Sequence, residues 1–533
     1  MRGYEILRKS QKLDLLIKIK EELTNLNFDQ AEKYSSKLIF GTGNPKAELI
    51  TRQFLITRLL GVDFNKHVLI ALSHPEHELS YPLPPEWRKV IEQYGLKTQT
   101  FINRLYWLGY KLFFILFGFL NVASLLYLSI KSLLKKEVKH ATSSAYFYAL
   151  TEKNLPNPNM NGVSQDIVSW YLNWPGRISD LTAIFHTVRG KNASSVSGIP
   201  MFYTYSAIPT LTGIRQLLSY LFWTVQATLI CLKDLFTSGF FNSILFSEGV
   251  KAAAFRYGKM EKIERDYLFH NSGWIYRPLW TYEAEKMGAR ILFYFYSTNC
   301  ESFKLSEGDT IQANSWQVMS WPKYLVWDQF QADFVERAVG INSDIQIVGP
   351  IWFHSEIKSL PEMPSKSIAV FDIQPHRDSR YQSLGLENEY YTPKTMNNFL
   401  EDIQSVANKY QYSIILKRKR HIGKLLNSRY QNVLNKLEKK SNFLSIDPDI
   451  SAFYLIQECP IVISIPFTST AIIARELGKR TVYYDPTGMI QKDDRAAHGI
   501  EIVTGKLELM EWMEKQSGTL TGQPAALVNK NVF

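Results

Sequence analysis

Short runs of β-branched and aromatic residues alternate with amphipathic helical stretches through the C-terminal part of the chain, and that alternation leaves few folds open. Apolar runs at 367–373 (SIAVFDI), 413–417 (SIILK), 461–465 (IVISI) and 481–484 (TVYY) are separated by helical patterns at 395–410, 430–440 and 471–477. A strand followed by a helix has room to cross over and pair parallel with the next strand. Parallel strands are covered on both faces and so read as continuous apolar runs, as these do. The pattern predicts an α/β domain over 367–512 with ligands at the carboxyl ends of its strands. Similar runs at 37–40 (KLIF), 68–73, 290–296 (RILFYFY), 324–327 and 345–348, with helical patterns at 279–287 and 328–339, predict a first α/β domain over 1–350. The Pro-containing segment 351–366 reads as a linker and 513–533 as a loose tail.

Two apolar stretches interrupt the first domain. Residues 112–130 (LFFILFGFLNVASLLYLSI) carry no charge, with Lys111 before them and Lys131, Lys135 and Lys136 after. That is the lower bound for a membrane-crossing helix. The second stretch, 217–246, contains Lys233-Asp234, which argues for a helical hairpin lying in an interface or groove rather than a span. Buried core helices and a single span are the other readings. With insertions at about 104–136 and 214–250, the expectation is peripheral attachment to the inner face of the cytoplasmic membrane.

Composition narrows the partners. A hydrophobic share of 45% and a charged share of 21% exclude a disordered or fibrous chain. Sixty-one Lys and Arg against 50 Asp and Glu give +11, which favours anionic lipid, nucleotides or diphosphates. No zinc-finger spacing, RNP-like signature or basic arm points to nucleic acid. Cys231, Cys300 and Cys459 lie far apart, so neither a disulfide framework nor a Cys-based metal site is indicated.

Two elements of the second domain suit a nucleotide. The turn Pro466-Phe467-Thr468-Ser469-Thr470 lies between a buried strand and an apolar helix. A helix N-terminus exposes unpaired N–H groups and a partial positive charge, and small hydroxyl side chains add donors without bulk. A plain N-cap is the alternative. The run Lys417-Arg418-Lys419-Arg420-His421 follows the strand at 413–417, which sets cations on the same rim. Alternation sends Lys417 and Lys419 to one side and Arg418 and Arg420 to the other. A solvated basic loop would look the same.

At these residues a resemblance appears. The strand, turn and helix over 461–485 resemble the bacterial polysaccharide-biosynthesis proteins named for a Pro-Phe-Thr-Ser (PFTS) motif, and the likeness extends back through 413–420, 367–373 and the passage from Trp327 to Phe353. The family is glycosyltransferase-like. The resemblance implies a GT-B-like fold, two Rossmann-like domains facing a cleft, and transfer from a nucleotide sugar to a growing surface polysaccharide or O-antigen, on a lipid carrier or as nascent glycan. More distantly, the layout is similar to transferases using CMP-activated acidic sugars, the bacterial sialyltransferases and Kdo transferases. Thr468 and Ser469 match their Ser/Thr pair, whereas His421 is followed by Ile422 and not by the proline of their other element. The implied donor-phosphate site is Lys417, Lys419, Thr468, Ser469 and Thr470, with Arg277 as a phosphate clamp or a structural ion pair. Asp372, His376, Pro466, Phe467 and Asp485 are candidates for the nucleotide or sugar, with turn formation as the plain alternative for both aspartates. His270, Glu283 and Asp328 lie near expected cleft edges as candidate bases. Gly41-Thr42-Gly43 reads as a tight turn or an acceptor contact. No metal or cofactor beyond the nucleotide sugar is expected. A non-catalytic assembly scaffold and a nucleotide-sugar epimerase are the alternatives.

Overall fold

The computed structural model describes residues 12–41, 47–74, 76–98, 100–134, 143–156, 166–189, 194–237, 239–270, 276–298, 301, 303–304, 308, 316–351, 360–375, 390–419, 421 and 423–519. Two sheets organise it. The first contains β1 (Ser144–Phe147), β2 (Ala183–His186), β3 (Ser194–Val196), β4 (Ile199–Tyr203), β5 (Asp266–His270), β6 (Arg290–Tyr294), β7 (Tyr324–Val326) and β8 (Ile345–Ile347). Its order is β3-β4-β2-β1-β5-β6-β7-β8, all parallel except the β3–β4 edge. The second contains β9 (Ser367–Phe371), β10 (Ser413–Lys417), β11 (Phe443–Ile446), β12 (Ile461–Ser464), β13 (Arg480–Asp485) and β14 (Ile502–Thr504), wholly parallel in the order β11-β10-β9-β12-β13-β14. Counted from its own first strand, the second sheet runs 3-2-1-4-5-6, the doubly wound Rossmann order. The parallel strands of the first sheet run 3-2-1-4-5-6-7. The two Rossmann-like units of a GT-B-like chain are therefore both present.

Local chemistry explains the second domain. β9 and β12 are buried at every position, as a central parallel strand requires. The crossover helices are capped by hydroxyl or amide side chains: Thr392 accepts from Thr395 N, Asn427 from Arg429 N and Ser451 from Phe453 N. Helix Gly505–Thr519 buries Leu509, Trp512 and Met513, so the part of the expected tail up to 519 is ordered helix.

The first domain departs from expectation at its start. Among the described residues, 12–134 hold no strand longer than a single bridge; residues 37–40 form helix Lys37–Phe40 and 68–73 belong to helix Val62–Ser73. Ser36 caps the former, and in the latter Phe64, Val68, Ala71 and Leu72 are buried at helical spacing, so short apolar runs there follow a 3.6 period, not 2. The strands of the sheet's first half, β1, β2, β4 and β5, were not anticipated.

The two apolar insertions are helices. Thr100–Leu134 runs 35 residues, about 52 Å at 1.5 Å per residue. Ile214–Phe236 turns back into Phe241–Tyr257, the expected hairpin. Its mid-segment charges explain the turn. The Asp234 Oδ2 accepts from Asn242 N at 2.9 Å and Ser243 N at 3.0 Å, satisfying the start of the returning helix, while Lys111 Nζ donates to Asp234 O at 2.7 Å. Helix Phe241–Tyr257 is buried from Phe241 to Val250, packed against both apolar helices and against helix Trp280–Lys286.

Candidate functional site

In an open doubly wound sheet the crevice opens beyond the carboxyl ends of the two central strands, where the crossovers part. In the second domain these strands are β9 and β12, and the residues leaving them are Asp372 and the Pro466–Thr470 turn. The turn is constrained from all sides. Ile465 N donates to Phe371 O, Tyr391 Oη to Pro466 O at 2.9 Å and Tyr483 Oη to Thr468 O at 2.7 Å. Phe467 sits at φ 64, a left-handed conformation costly for a bulky residue, with its ring against Phe303 and Tyr483. Thr468 occupies the N-cap position of helix Ser469–Glu476, yet its hydroxyl donates backwards to Ile465 O at 3.0 Å and caps nothing. Thr470 lies 3.0 Å from Ser464 Oγ. The plain N-cap reading thus fails for Thr468, and the first-turn amides keep their partial positive charge. Ser469 faces the other domain, its Oγ 3.2 Å from Thr298 Oγ1.

Across the crevice Asp372 is buried. Tyr430 Oη donates to its Oδ2, while Oδ1 has no partner among the described residues. Burial pushes this carboxyl up to about 6, against the Tyr430 hydrogen bond and the Arg418 charge. Arg418, rather than Lys417, is therefore the cation set beside Asp372. Lys417 lies on the β11 side, with Nζ donating to Pro448 O at 3.1 Å; burial pushes its amine down to about 8, opposed by Asp449 and Asp447. His421 Nε2 stands 3.4 Å from carboxylate oxygens of both aspartates, a grouping that could hold a cation but already neighbours the Lys417 amine. Lys419 is exposed. Asp485 is fully buried: its Oδ1 accepts from Tyr390 Oη and from Thr487 N and Oγ1, and its Oδ2 from Ile490 N, so its carboxylate organises the Pro486–Gly488 turn. His376 lies outside the described residues, as do Thr42, Gly43 and Arg420.

In the first domain the crevice lies between β1 and β5. His270 ends β5, with its ring between those of Tyr294 and Tyr296; burial holds it below its ordinary value, opposed by a hydrogen bond with the Ala149 backbone. Ala149, just past β1, sits at φ 56. The other base candidates are engaged elsewhere. Glu283 pairs with Arg256 at 3.1 Å and underlies Gly41, where a Cβ would come within 2.1 Å of its Oε1; at φ +96 only glycine suits that turn. Asp328 caps helix Gln329–Ala338 and bonds His498 Nδ1 at 2.8 Å and Arg475 Nη2 at 3.3 Å. Burial raises its carboxyl, but His498, Gln331 N and Arg475 outweigh it and hold it below the usual range. Arg277 is buried, stacked on Tyr282 and donating to Thr281 Oγ1, Ser320 O and Glu285 Oε2, so its guanidinium serves a structural ion pair.

One buried carboxylate absent from the sequence reading lies near Tyr148, just past β1. Glu248, on helix Phe241–Tyr257, is 6% exposed; its Oε1 accepts from Lys251 Nζ at 2.9 Å, but Oε2 has no partner among the described residues. Its charge reaches Tyr148, which follows β1, and Tyr276. A lone Glu in the apolar run 241–257 was the available signal.

The two crevices are bridged by the segment after β6. Ser297 and Thr298 meet Ser469, Phe303 covers Phe467, and Lys304 N donates to Asp494 Oδ2 at 2.8 Å.

Among solved structures, the chain is similar to UDP-GlcNAc 2-epimerase from Methanocaldococcus jannaschii (10% identity, 70% of this chain and 91% of that chain, TM-score 0.35). It is also similar to a kitacinnamycin glycotransferase (10%, 72% and 92%, TM-score 0.35) and to sucrose-phosphate synthase from Thermosynechococcus elongatus (11%, 71% and 90%, TM-score 0.33). No curated protein matches. The Polysaccharide biosynthesis PFTS motif protein family matches residues 223–513, which include β5 to β14, the motif turn and Glu248. That match covers more than half of the chain, which belongs to the polysaccharide biosynthesis PFTS motif family.

Proposed function

We propose that this protein is a glycosyltransferase that moves a sugar from a nucleotide-sugar donor to a growing cell-surface polysaccharide. The observation that carries the reading is the motif turn, strained at Phe467 and with no cap from the Thr468 side chain, at the crevice of a 3-2-1-4-5-6 sheet. A donor phosphate at the amides of Ser469 and Thr470 would have its leaving-group charge stabilised as the bond from anomeric carbon to phosphate oxygen breaks. Arg418 supplies a fixed cation on the same rim, so the chemistry calls on no bound metal. The acceptor hydroxyl forms the new bond to the anomeric carbon and gives its proton to Glu248 or His270 in the first domain.

Incubation of the purified chain with CMP-, UDP- and GDP-sugars, read as thermal shift and as nucleotide release with and without glycan acceptor, tests this. Acceptor-dependent release from one donor is the expected result. A sugar isomerised without release would make the chain an epimerase, and no shift with any donor would leave a scaffold. Ser469→Ala should weaken donor binding by about tenfold, from a lost charge-assisted hydrogen bond of about 1.5 kcal/mol.

A further inference from the structure

The two apolar helices each have two apolar faces, and only one is used inside the protein. On Thr100–Leu134 the inward stripe includes Trp107, Phe114, Ile115, Val122 and Leu125, all buried in the main core. The opposite stripe includes Phe113 (57% exposed), Leu116 (62%), Leu120 (67%) and Tyr127 (65%), spaced by three, four and seven residues. Ile214–Phe236 repeats the arrangement, with Tyr220, Trp223, Ala227 and Cys231 inward and Leu218, Phe222, Val225 and Leu229 outward. The helices touch each other and share the buried helix Phe241–Tyr257 as their support. A soluble monomer rarely exposes a continuous apolar surface of this extent.

Charge identifies what covers it. Thr100–Leu134 contains no Asp or Glu, and the one acid of Ile214–Phe236, Asp234, is buried in its capping role. The exposed charged side chains of both helices, Arg104, Arg215 and Lys233, are all basic. An apolar face whose own helices expose cations and no acid suits an anionic lipid leaflet. A second copy of the same chain would bring those cations against like charge.

We propose that the outward stripes of Thr100–Leu134 and Ile214–Phe236 together form a monotopic surface that lies in one anionic leaflet without crossing it. The long helix is apolar enough to span, but its inward stripe is core along its length, so it cannot traverse a bilayer without carrying the protein body with it. The inference goes beyond the transferase reading and is independent of it.

Flotation of the full chain with phosphatidylcholine vesicles, alone or mixed with phosphatidylglycerol, tests the surface. Binding should be stronger to the mixed vesicles and fall with salt. The variants Leu116→Glu/Leu120→Glu and Leu218→Glu/Val225→Glu should each lose about tenfold or more in vesicle affinity, from withdrawn apolar side chains. Ile341→Glu, at an exposed residue outside both helices, should bind as wild type. Should a double variant lose its thermal transition, Arg215→Ala/Lys233→Ala carries the test through loss of the preference for anionic vesicles. In sealed cells, single cysteines at Arg104 and Lys131 should react with an impermeant reagent from one side only. Labelling from opposite sides, absence of vesicle binding, or a detergent-free dimer broken by Leu116→Glu would each overturn the proposal.

Discussion

Lys417 holds an ammonium against burial, and the two consequences of that position pull in opposite directions. Its amine is pushed down to about 8 from an ordinary 10.5, so the charged form costs the folded state: the stability contribution is full above 10.5 and is lost as pH falls through about 8. Lys417→Met should therefore raise stability at pH 7 by about 1–3 kcal/mol, read from denaturant unfolding. If the amine helps hold the donor phosphate, the same variant weakens nucleotide binding, and wild-type affinity falls as pH rises past about 8 while that of the variant stays flat. Titration calorimetry across pH 6.5 to 9 (roughly one unit and more either side) separates a binding lysine from a merely buried one. If Glu248 rather than His270 is the base, Glu248→Gln keeps shape and removes it. Turnover should drop by about a hundredfold or more with donor affinity unchanged, measured as kcat against Kd. Little of this residue-level picture was legible beforehand. Thr468 and Ser469 announced themselves because a turn between strand and helix is a local pattern. Arg418, Tyr430 and Glu248 gain their meaning from neighbours far away in the chain, such as Asp372 and Tyr148.

At the scale of elements, the second domain was readable and the beginning of the first was not. Central parallel strands are apolar on both faces, so 367–373, 413–417, 461–465 and 481–484 stand out from composition alone. Four-residue runs such as 37–40 contain too few positions to distinguish periods of 2 and 3.6, and packing of Ile39 and Phe40 against helix Phe241–Tyr257 decides for helix. The Lys233-Asp234 pair lies inside helix Ile214–Phe236, shortly before the turn, and the purpose of Asp234, a cap on the next helix, depends on that turn. Asp234→Ala leaves the amides of Asn242 and Ser243 without their acceptor. It should cost about 2–4 kcal/mol and lower the melting temperature, whereas Asp234→Asn should recover part of the loss.

For the molecule as a whole, a small polar network joins the two domains alongside the Phe303–Phe467 contact. Asp328 of the first domain joins His498 and Arg475 of the second, and its carboxyl is held below the ordinary 3.8. That contribution is present above 3.8 and is lost as pH falls through the lowered value, so the junction is acid-labile only well below neutrality. Asp328→Asn should cost about 1–2 kcal/mol at pH 7 and separate one calorimetric transition into two, if the network is what couples the domains. The buried helix Phe241–Tyr257 has a consequence of another kind. It packs against both apolar helices, and its Glu248 acts electrostatically on Tyr148 just past β1, so a single helix links the apolar plateau to the carboxyl end of that strand. If the proposed seating of the plateau in lipid and a lipid-carried acceptor both hold, that helix would work as a gauge: a glycan anchored in the leaflet would present its first sugars at the crevice, and each added unit would carry the growing end farther out of reach.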